Sequence, residues 1–318
     1  MTRALKIKKA RREAAAAKPE PGLPRWLLVL AGVGVVGLLA AGALLWTYSG
    51  KDAAGIFTGV PLTDPGPVHV HGLGINAADD SLFIATHTGL FRVGKDSQKA
   101  VRIADRYQDT MGFSVVGPNR FLGSGHPDAR DRKLPPLLGL IESTDAGKTW
   151  QSISLLGEAD FHVLRSADRH VYGYDASNDR LLASADDGHK WTELEKPGQI
   201  VDLAAHPSDP GRLVTTAVGG AEQGVYSSQN GGASWKRLNE AVGLIAWPAE
   251  KRLYLIDEQG KVLISNDGGR TLKARSEIGG RPAALLATGE DELYVALHDG
   301  TIKHSTDGGT TWSVRSSP

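Results

Sequence analysis

Histidines recur at the ends of short apolar segments of this chain, and imidazole is both a common metal ligand and a group that titrates near neutrality. Two of them open the segment HVHGLGI, and three others follow apolar runs in ATHTG, GSGHP and ALHDG. A methionine opens a further segment, MGFSVV. Imidazoles with a thioether suit copper, whereas imidazoles alone also suit zinc or nickel. The candidate metal ligands are His69, His71, His87, Met111 and His126.

Three more polar side chains, His162, His298 and Asp175, are assigned to a ligand-binding funnel beside the metal candidates. The same histidines also fit two alternative roles. Isolated histidines usually line wet channels or bond backbone groups at strand ends, and a histidine cluster can also form a pH-sensitive ligand site. The fold decides whether these side chains converge.

The elements that must position them are marked by an eight-residue motif that occurs five times. Its copies are STDAGKTW, SADDGHKW, SQNGGASW, SNDGGRTL and STDGGTTW, and their first residues lie 41, 44, 37 and 40 positions apart. This period marks a repeat architecture with one supersecondary unit per copy. We expect the third residue to bond N–H groups two residues on, the fifth-position glycine to take a positive φ, and the tryptophan to pin the turn to its own unit. These structural residues are Asp145, Trp150, Asp186, Trp191, Asn230, Trp235, Asp267, Asp307 and Trp312.

Each unit also contains four short strand patterns, which in the last unit are PAALLAT, ELYVAL, TIKHS and WSVRS. Four strands in about forty residues is the blade of a β-propeller. We therefore predict an all-β, six-bladed β-propeller over residues 68–318, with motif turns in five units and a possible remnant, GKDS at 94–97, in the first. A seventh blade is possible only if residues 49–67 contain one, and they have too few strand signals.

In a propeller the first strand of each blade begins, and the second ends, on one face, and the motif turns lie on the other. The histidines above occupy the first of these faces. An insertion in the second unit, HPDARDRKLPPLLG at 126–139, joins the second and third strands there and is expected to overhang the binding face.

The pattern S-x-D-x-G-x-T-W resembles the Asp box, or BNR repeat, of sialidase-like propellers, including bacterial exo-alpha-sialidase-like glycosyl hydrolases. The resemblance covers about residues 68–318 and implies that the boxes lie away from the ligand site. Active sialidases bind the substrate carboxylate with three arginines, use a Tyr–Glu pair and an Asp, and carry F/Y-R-I-P. Here the segment from Phe91 to Gly94 reads FRVG, and no arginine triad can be assigned. We assign no catalytic residues and interpret the strand tyrosines, Tyr172, Tyr226, Tyr254 and Tyr294, as packing residues.

Residues 26–48, WLLVLAGVGVVGLLAAGALLWTY, are 23 residues without a charge, which is long enough to span a bilayer as a helix. Residues 1–25 are basic, which predicts a cytoplasmic tail, a signal anchor over 26–48, a linker over 49–67 and an extracytoplasmic propeller in the cell membrane. The competing interpretation is a signal peptide cleaved near Ala41–Ala43.

Residues 1–48 contain eight Lys/Arg and two acids, whereas the rest contains 28 and 34. A weakly acidic main domain argues against nucleic-acid binding. The chain has no cysteine, which excludes thiolate metal sites. The favoured function is a membrane-anchored module that binds an extracytoplasmic ligand or protein without sialidase catalysis. The alternatives are a glycoside hydrolase and a copper- or other metal-binding protein.

Overall fold

The computed structural model describes residues 64–318, which form six four-stranded antiparallel sheets around a central channel. The prediction of a six-bladed β-propeller is therefore confirmed. Blade 1 contains β1 (Val70–Asn76), β2 (Ser81–Thr86), β3 (Gly89–Val93) and β4 (Ala100–Arg102). Blade 2 contains β5 (Asp109–Gly117), β6 (Arg120–His126), β7 (Leu140–Ser143) and β8 (Gln151–Ser154). Blade 3 contains β9 (Phe161–Ala167), β10 (His170–Asp175), β11 (Arg180–Ser184) and β12 (Thr192–Leu194).

The remaining blades repeat the same order of strands. Blade 4 contains β13 (Gln199–His206), β14 (Asp209–Val218), β15 (Gly224–Ser228) and β16 (Lys236–Asn239). Blade 5 contains β17 (Leu244–Ala246), β18 (Leu253–Ile256), β19 (Lys261–Ser265) and β20 (Lys273–Glu277). Blade 6 contains β21 (Pro282–Ala287), β22 (Leu293–Leu297), β23 (Ile302–Ser305) and β24 (Ser313–Ser316).

The first strand of each blade is the inner strand. First strands of successive blades contact one another, and β21 contacts β1, so the ring closes. The second strands are almost entirely buried because both of their faces are covered by neighbouring blades, as in the fully buried β2 and β22. The hydrophobic core is therefore a series of clusters between blades, such as the one that joins Val70 and Leu82 to Ala296 and Ile302.

The first strands carry a recurring β-bulge near their start, and this feature was not expected. Five blades have one residue there without a partner on the second strand, and these residues are His71, Met111, His162, Val201 and Ala283. A bulge re-aims the side chain of its extra residue. The candidate site residues His71, Met111 and His162 therefore occupy equivalent positions in their blades, as the sequence pattern had indicated.

The five motif turns, called box turns below, share one set of hydrogen bonds. In the last turn, the Ser305 hydroxyl donates to Asp307 Oδ1 at 2.8 Å and accepts from the Gly309 N–H at 2.9 Å, and Asp307 Oδ1 accepts from Thr311 N–H at 2.9 Å. The third residue thus bonds an N–H four residues on, and the expected bond two residues on is instead made by the serine, which accepts weakly from Asp307 N–H. The fifth-position glycines have the expected positive φ, such as 76° at Gly309.

The tryptophans of the box turns contact their own blade, as expected, and also the preceding one: the Trp191 ring lies 4.9 Å from that of Phe161 in its own blade 3. Trp191 Nε1 donates to Ser154 Oγ of blade 2 at 2.9 Å, and Trp312 Nε1 donates to Ser276 Oγ of blade 5 at 3.2 Å. Each of these rings is partly exposed. The ring therefore packs in the hydrophobic cluster between its own blade and the preceding one.

The tail 1–25, the expected signal anchor 26–48 and the linker up to residue 63 lie outside the described residues. Within residues 64–318, no helix has the length and apolar character needed to cross a membrane.

Candidate functional site

Blades 1 and 2 bring two imidazoles and a carboxylate together at the channel mouth. His71 is the bulge residue of β1, His87 follows β2, and Asp109 begins β5. Their ligand atoms all lie within 4.8 Å of one another, and the rings of His71 and His87 meet edge to face with centroids 4.3 Å apart. His87 Nδ1 lies 2.9 Å from Asp109 Oδ1, although the two are not aligned as a good hydrogen bond. Two nitrogens and an oxygen at this spacing are a donor set for a transition-metal ion.

The electrostatics of this mouth keep one imidazole neutral. Burial first, and then the charges of His87, His162 and His69, lower the pKa of His71 from 6.5 to about 3. His71 Nε2 is buried and has no hydrogen-bond partner among the described residues. In contrast, Asp109 raises the pKa of His87. His71 therefore presents an imidazole that does not carry a proton at neutral pH.

His69 precedes β1, which begins at Val70, whereas His71 is the bulge residue of that strand. His69 has a positive φ of 55°, and its exposed ring lies 5.6 Å from that of His87. His298 follows β22 of blade 6, the blade that adjoins blade 1. Burial and the charges of Arg281 and His69 lower the pKa of His298.

A second group of side chains lies at the same mouth, between blades 2 and 3. His162, the bulge residue of β9, places Nε2 at 2.8 Å from Asp160 Oδ2. His126, which ends β6, places Nε2 at 3.6 Å from the same oxygen. Its other nitrogen, Nδ1, lies 2.8 Å from the carbonyl oxygen of Pro136 in the insertion.

Two of the expected site residues are buried. Met111 occupies the bulge of β5 but is buried, with 8% of its surface exposed. Asp175 was expected to line a ligand funnel, yet it has no exposed surface and accepts hydrogen bonds from the Asp160 N–H, Asn178 and Arg180. Its carboxylate is already satisfied, so Asp175 is a structural residue of blade 3.

Asp109 and Asp160 were missed by sequence reasoning. Each precedes a bulge residue by two positions, Asp109 before Met111 and Asp160 before His162. The sequence has Asp-x-Met at the start of the second unit and Asp-x-His at the start of the third. It did not show that the two aspartates would contact histidines of the preceding blade, His87 and His126.

Behind the mouth, a channel of about 410 Å³ runs between the first strands. Its lining includes one arginine, Arg165, whose guanidinium donates to Asp202 Oδ1 at 2.6 Å and to the Leu203 carbonyl at 3.0 Å. A guanidinium already paired in this way is not free to bind a substrate carboxylate. An arginine cluster of the sialidase kind is therefore not found in the lining of this channel within residues 64–318.

One tyrosine does contact a glutamate, but it lies away from the channel mouth. Tyr294 donates to Glu292 Oε1 at 3.0 Å, and both lie at the start of β22, on the side of the box turns. Burial first, and then the bond to Glu292, raise the pKa of Tyr294 to about 12. That shift opposes formation of the phenolate, and the ring packs in the cluster between blades 6 and 1.

Comparisons with known proteins agree on the fold. The family model described as "Sortilin, neurotensin receptor 3" (Sortilin-Vps10) matches residues 139–264, less than half of the chain. No curated protein matches. Solved structures of similar fold include YCF48 bound to a D1 peptide, with a TM-score of 0.50 and 17% identity over 79% of this chain and 83% of that one.

Two further structures are more similar in shape. A chain of a nidogen/laminin complex has a TM-score of 0.59 and 14% identity, over 75% of this chain and 93% of that one. XC5397, a gluconolactonase from Xanthomonas campestris, has a TM-score of 0.57 and 11% identity, over 72% of this chain and 85% of that one. At these identities the likeness establishes the β-propeller fold alone.

Proposed function

We propose that this chain is a membrane-anchored, extracytoplasmic propeller that binds a transition-metal ion through His71, His87 and Asp109, without sialidase catalysis. The observation that carries the proposal is the buried, unpartnered Nε2 of His71 beside a second imidazole and a carboxylate. A buried polar atom without a partner is costly unless a ligand satisfies it. A metal ion would do so, because neutral imidazole is its preferred nitrogen donor.

The donor set favours particular ions. Two imidazoles and a carboxylate suit Zn(II), Cu(II) and Ni(II), whereas Cu(I) prefers thiolate and thioether ligands. The cluster supplies nitrogen and oxygen ligand atoms, and the chain has no cysteine. The copper hypothesis therefore becomes one for Cu(II). A protein ligand is less well supported at the channel mouth, since the three ligand atoms there converge at the spacing of a single ion.

The test is titration of the full-length protein, purified in detergent without a polyhistidine tag, with Zn(II), Cu(II) and Ni(II). We expect submicromolar binding of at least one ion. His71→Ala and His87→Ala should each weaken it more than about 100-fold, because even the outer partners of metal ligands change affinity 10–100-fold. His189→Ala is the matched control, since this exposed histidine lies on a box turn.

Two results contradict the metal proposal. One is the lack of binding tighter than micromolar for all three ions. The other is equal weakening in His71→Ala and His189→Ala, which would mean that scattered surface histidines bind the ion. Thermal melting of each variant separates a lost ligand from a lost fold.

The glycoside hydrolase alternative is tested by release of a fluorophore from a standard sialoside. We expect none, because Arg165 is paired with Asp202 and Tyr294 lies away from the channel mouth. Activity that disappears in Arg92→Ala, the arginine of the FRVG segment, would overturn this expectation.

The proposed location rests on the charge asymmetry around residues 26–48. A reporter enzyme that works only outside the cytoplasm, fused after Pro318, is expected to be active. A cytoplasmic reporter at the same position is expected to be silent. The reverse pattern contradicts the topology, and a mature chain that begins near Leu44 contradicts the anchor.

A further inference from the structure

We infer that a groove between the box turns of blades 4 and 5 is a binding site for an oligosaccharide that carries carboxylate groups. The groove has a volume of about 380 Å³ and is lined by the blade 4 box turn, by β16 and by Arg270 of the blade 5 box turn. That volume falls in the usual range for small-molecule sites. The groove lies on the box-turn face, away from the three metal ligands at the channel mouth, so this site goes beyond the proposed function.

One wall of the groove is the indole of Trp235, the last residue of the blade 4 box turn. Its Nε1 donates to the Glu195 carbonyl of blade 3 at 2.8 Å, which fixes the position of the partly exposed ring. A fixed aromatic ring has a flat, electron-rich face. A sugar ring suits such a face, because its C–H groups pack on the indole while its hydroxyls stay at the edge. The polar side chains of Ser227 and Gln229 line the groove beside the ring and are of the kind that bonds hydroxyls.

The groove also carries positive charge. Lys236 and Arg270 line it and are exposed, and neither pairs with a carboxylate within residues 64–318. Arg270 Nη1 donates to the Asp267 carbonyl at 2.9 Å, which holds the guanidinium at the edge of the groove. The lining contains no aspartate or glutamate. Because a guanidinium matches a carboxylate in shape and charge, the groove favours an acidic sugar over a neutral one.

Blade 4 differs from the other blades at the residue that sets this charge. The third residue of its box is Asn230, whereas the other four boxes have an aspartate there. Asn230 still makes the bonds of a box turn, since its Oδ1 accepts from the Ser228 hydroxyl at 2.8 Å and from the Ser234 N–H at 3.0 Å. The turn is therefore intact, and a negative charge is removed from the groove. A tryptophan followed by a lysine, with an arginine at the sixth position of the next box, occurs at no other pair of adjacent box turns.

The test is the binding of tetragalacturonate to the full-length protein, purified in detergent and measured by saturation-transfer difference NMR. EDTA is present throughout, so that the channel mouth holds no metal ion. Cellotetraose is the neutral sugar control, and tetraglutamate is an anion without sugar rings. Both should bind at least about tenfold more weakly than tetragalacturonate, because each lacks one of the two features that the groove recognises.

Two variants remove those features one at a time. Trp235→Leu should weaken tetragalacturonate binding at least about tenfold, as truncation of a tryptophan anchor does. Leucine is the residue at the equivalent position of blade 5, Leu272, so the turn tolerates it. Lys236→Gln/Arg270→Gln should reduce the binding of tetragalacturonate to the level of cellotetraose.

Asn230→Asp is the sharpest variant, because it gives blade 4 the residue of the other four boxes. The turn should stay folded, yet the added carboxylate should weaken binding about threefold, the scale of one exposed charge interaction. The difference should shrink as salt is added. Trp191→Leu and Lys273→Gln, at the same box positions in blades 3 and 5, are the matched controls and should bind like the unmodified protein.

The outcomes are distinct. Equal binding of tetraglutamate would show a general attraction to cations and overturn the assignment to a sugar. Equal weakening in Trp191→Leu and Trp235→Leu would show that the sugar binds any box tryptophan. No binding of tetragalacturonate, or binding unchanged by both Asn230→Asp and the double variant, overturns the site. Melting curves show which variants are folded, and Asn230→Asp decides the question if Trp235→Leu is not. None of these results bears on the metal proposal, because EDTA is present.

Discussion

At the scale of the residue, the serine that begins each box turn bonds both the third residue of the motif and the buried N–H of the fifth-position glycine. Ser265 is buried, donates to Asp267 Oδ1 at 2.7 Å and accepts from the Gly269 N–H at 2.8 Å. A methyl group at this position leaves the glycine N–H buried without an acceptor. The hydroxyl therefore stabilises a turn whose surface is otherwise polar and wet.

Ser265→Ala should lower the free energy of unfolding by about 1–3 kcal/mol, the range for an abandoned buried donor. Chemical denaturation measures it. Ser317→Ala, at an exposed serine, is the control and should change the stability by less than about 0.5 kcal/mol. A loss no larger in Ser265→Ala than in Ser317→Ala would show that water replaces the hydroxyl.

The acid of the turn should make stability depend on pH. Burial acts to raise the pKa of Asp267, but hydrogen bonds from Thr271 and Ser265 lower it from 3.8 to about 2. A carboxyl with a lowered folded-state pKa contributes its full stability above 3.8 and loses it as the pH falls toward 2. In blade 4 a neutral side chain, Asn230, occupies this position and makes the same bond to Ser228.

Asp267→Asn should therefore match the unmodified protein in melting temperature near pH 2 but gain less stability than the unmodified protein between that pH and 5. The unmodified protein should become more stable over the same interval. Melting temperatures at half-unit steps of pH measure the difference. Parallel curves for the two proteins would mean that the turn does not hold the carboxylate in its charged form.

At the scale of the element, the box tryptophans act as spacers between blades. Trp312 packs against the hydrophobic clusters that contain Val262 and Tyr254 of blade 5, and its N–H bonds Ser276. Leu272 occupies the corresponding place in blade 5, so an aliphatic side chain is tolerated there. The apolar body of the side chain therefore matters more than its N–H.

Trp312→Ala should cost about 2 kcal/mol, less than the 3–5 kcal/mol for a fully buried ring because this one is partly exposed. Trp312→Leu should recover at least half of that loss. Denaturant titrations of both variants measure the ranking. If the leucine variant is as unstable as the alanine variant, the bond to Ser276 carries the effect.

The sequence predicted the elements well and the site only in part. Evenly spaced turns with the same chemistry mark five of the six blades, because each turn is a local feature that its own residues determine, and the strand pattern of the first unit marks the sixth. The convergence of His71 and His87 also followed from topology. The contribution of Asp109 and the burial of Asp175 did not, since they depend on a bulge and on pairing across strands, which no local pattern records.

At the scale of the whole molecule, the outer strand of one blade is tied to the box turn of the next. The Ser154 hydroxyl donates to the Gly188 carbonyl at 2.6 Å, and Asn239 Nδ2 donates to the Gly269 carbonyl at 2.7 Å. Blade 6 is tied to blade 1 by an equivalent bond, in which the Ser316 hydroxyl donates to the Gln98 carbonyl at 2.8 Å. The loop 94–98 thus occupies the place of a box turn, although its sequence has lost the motif.

This loop is also where the ring closes. Within residues 64–318 every blade consists of four consecutive strands, so no strand is shared between blades 6 and 1. The seam depends on packing of β1 against β21 and on Arg315, whose guanidinium donates to the carbonyls of Gly94 at 2.8 Å, Lys95 at 3.2 Å and Ser97. One cation therefore replaces the hydrogen bonds that a box turn makes internally.

Arg315→Ala should open this seam before it affects the other blades. We expect a loss of about 2 kcal/mol, because charged donors contribute about 1.5–3 kcal/mol per site, and faster amide exchange in loop 94–98, β1 and β24 than in blades 3 and 4. Arg132→Ala, at an exposed arginine of the insertion, is the control and should leave both measurements unchanged. Exchange that rises equally in all blades would mean that the ring unfolds as one cooperative unit with no weak seam, and that the contact of β1 with β21 is enough to close it.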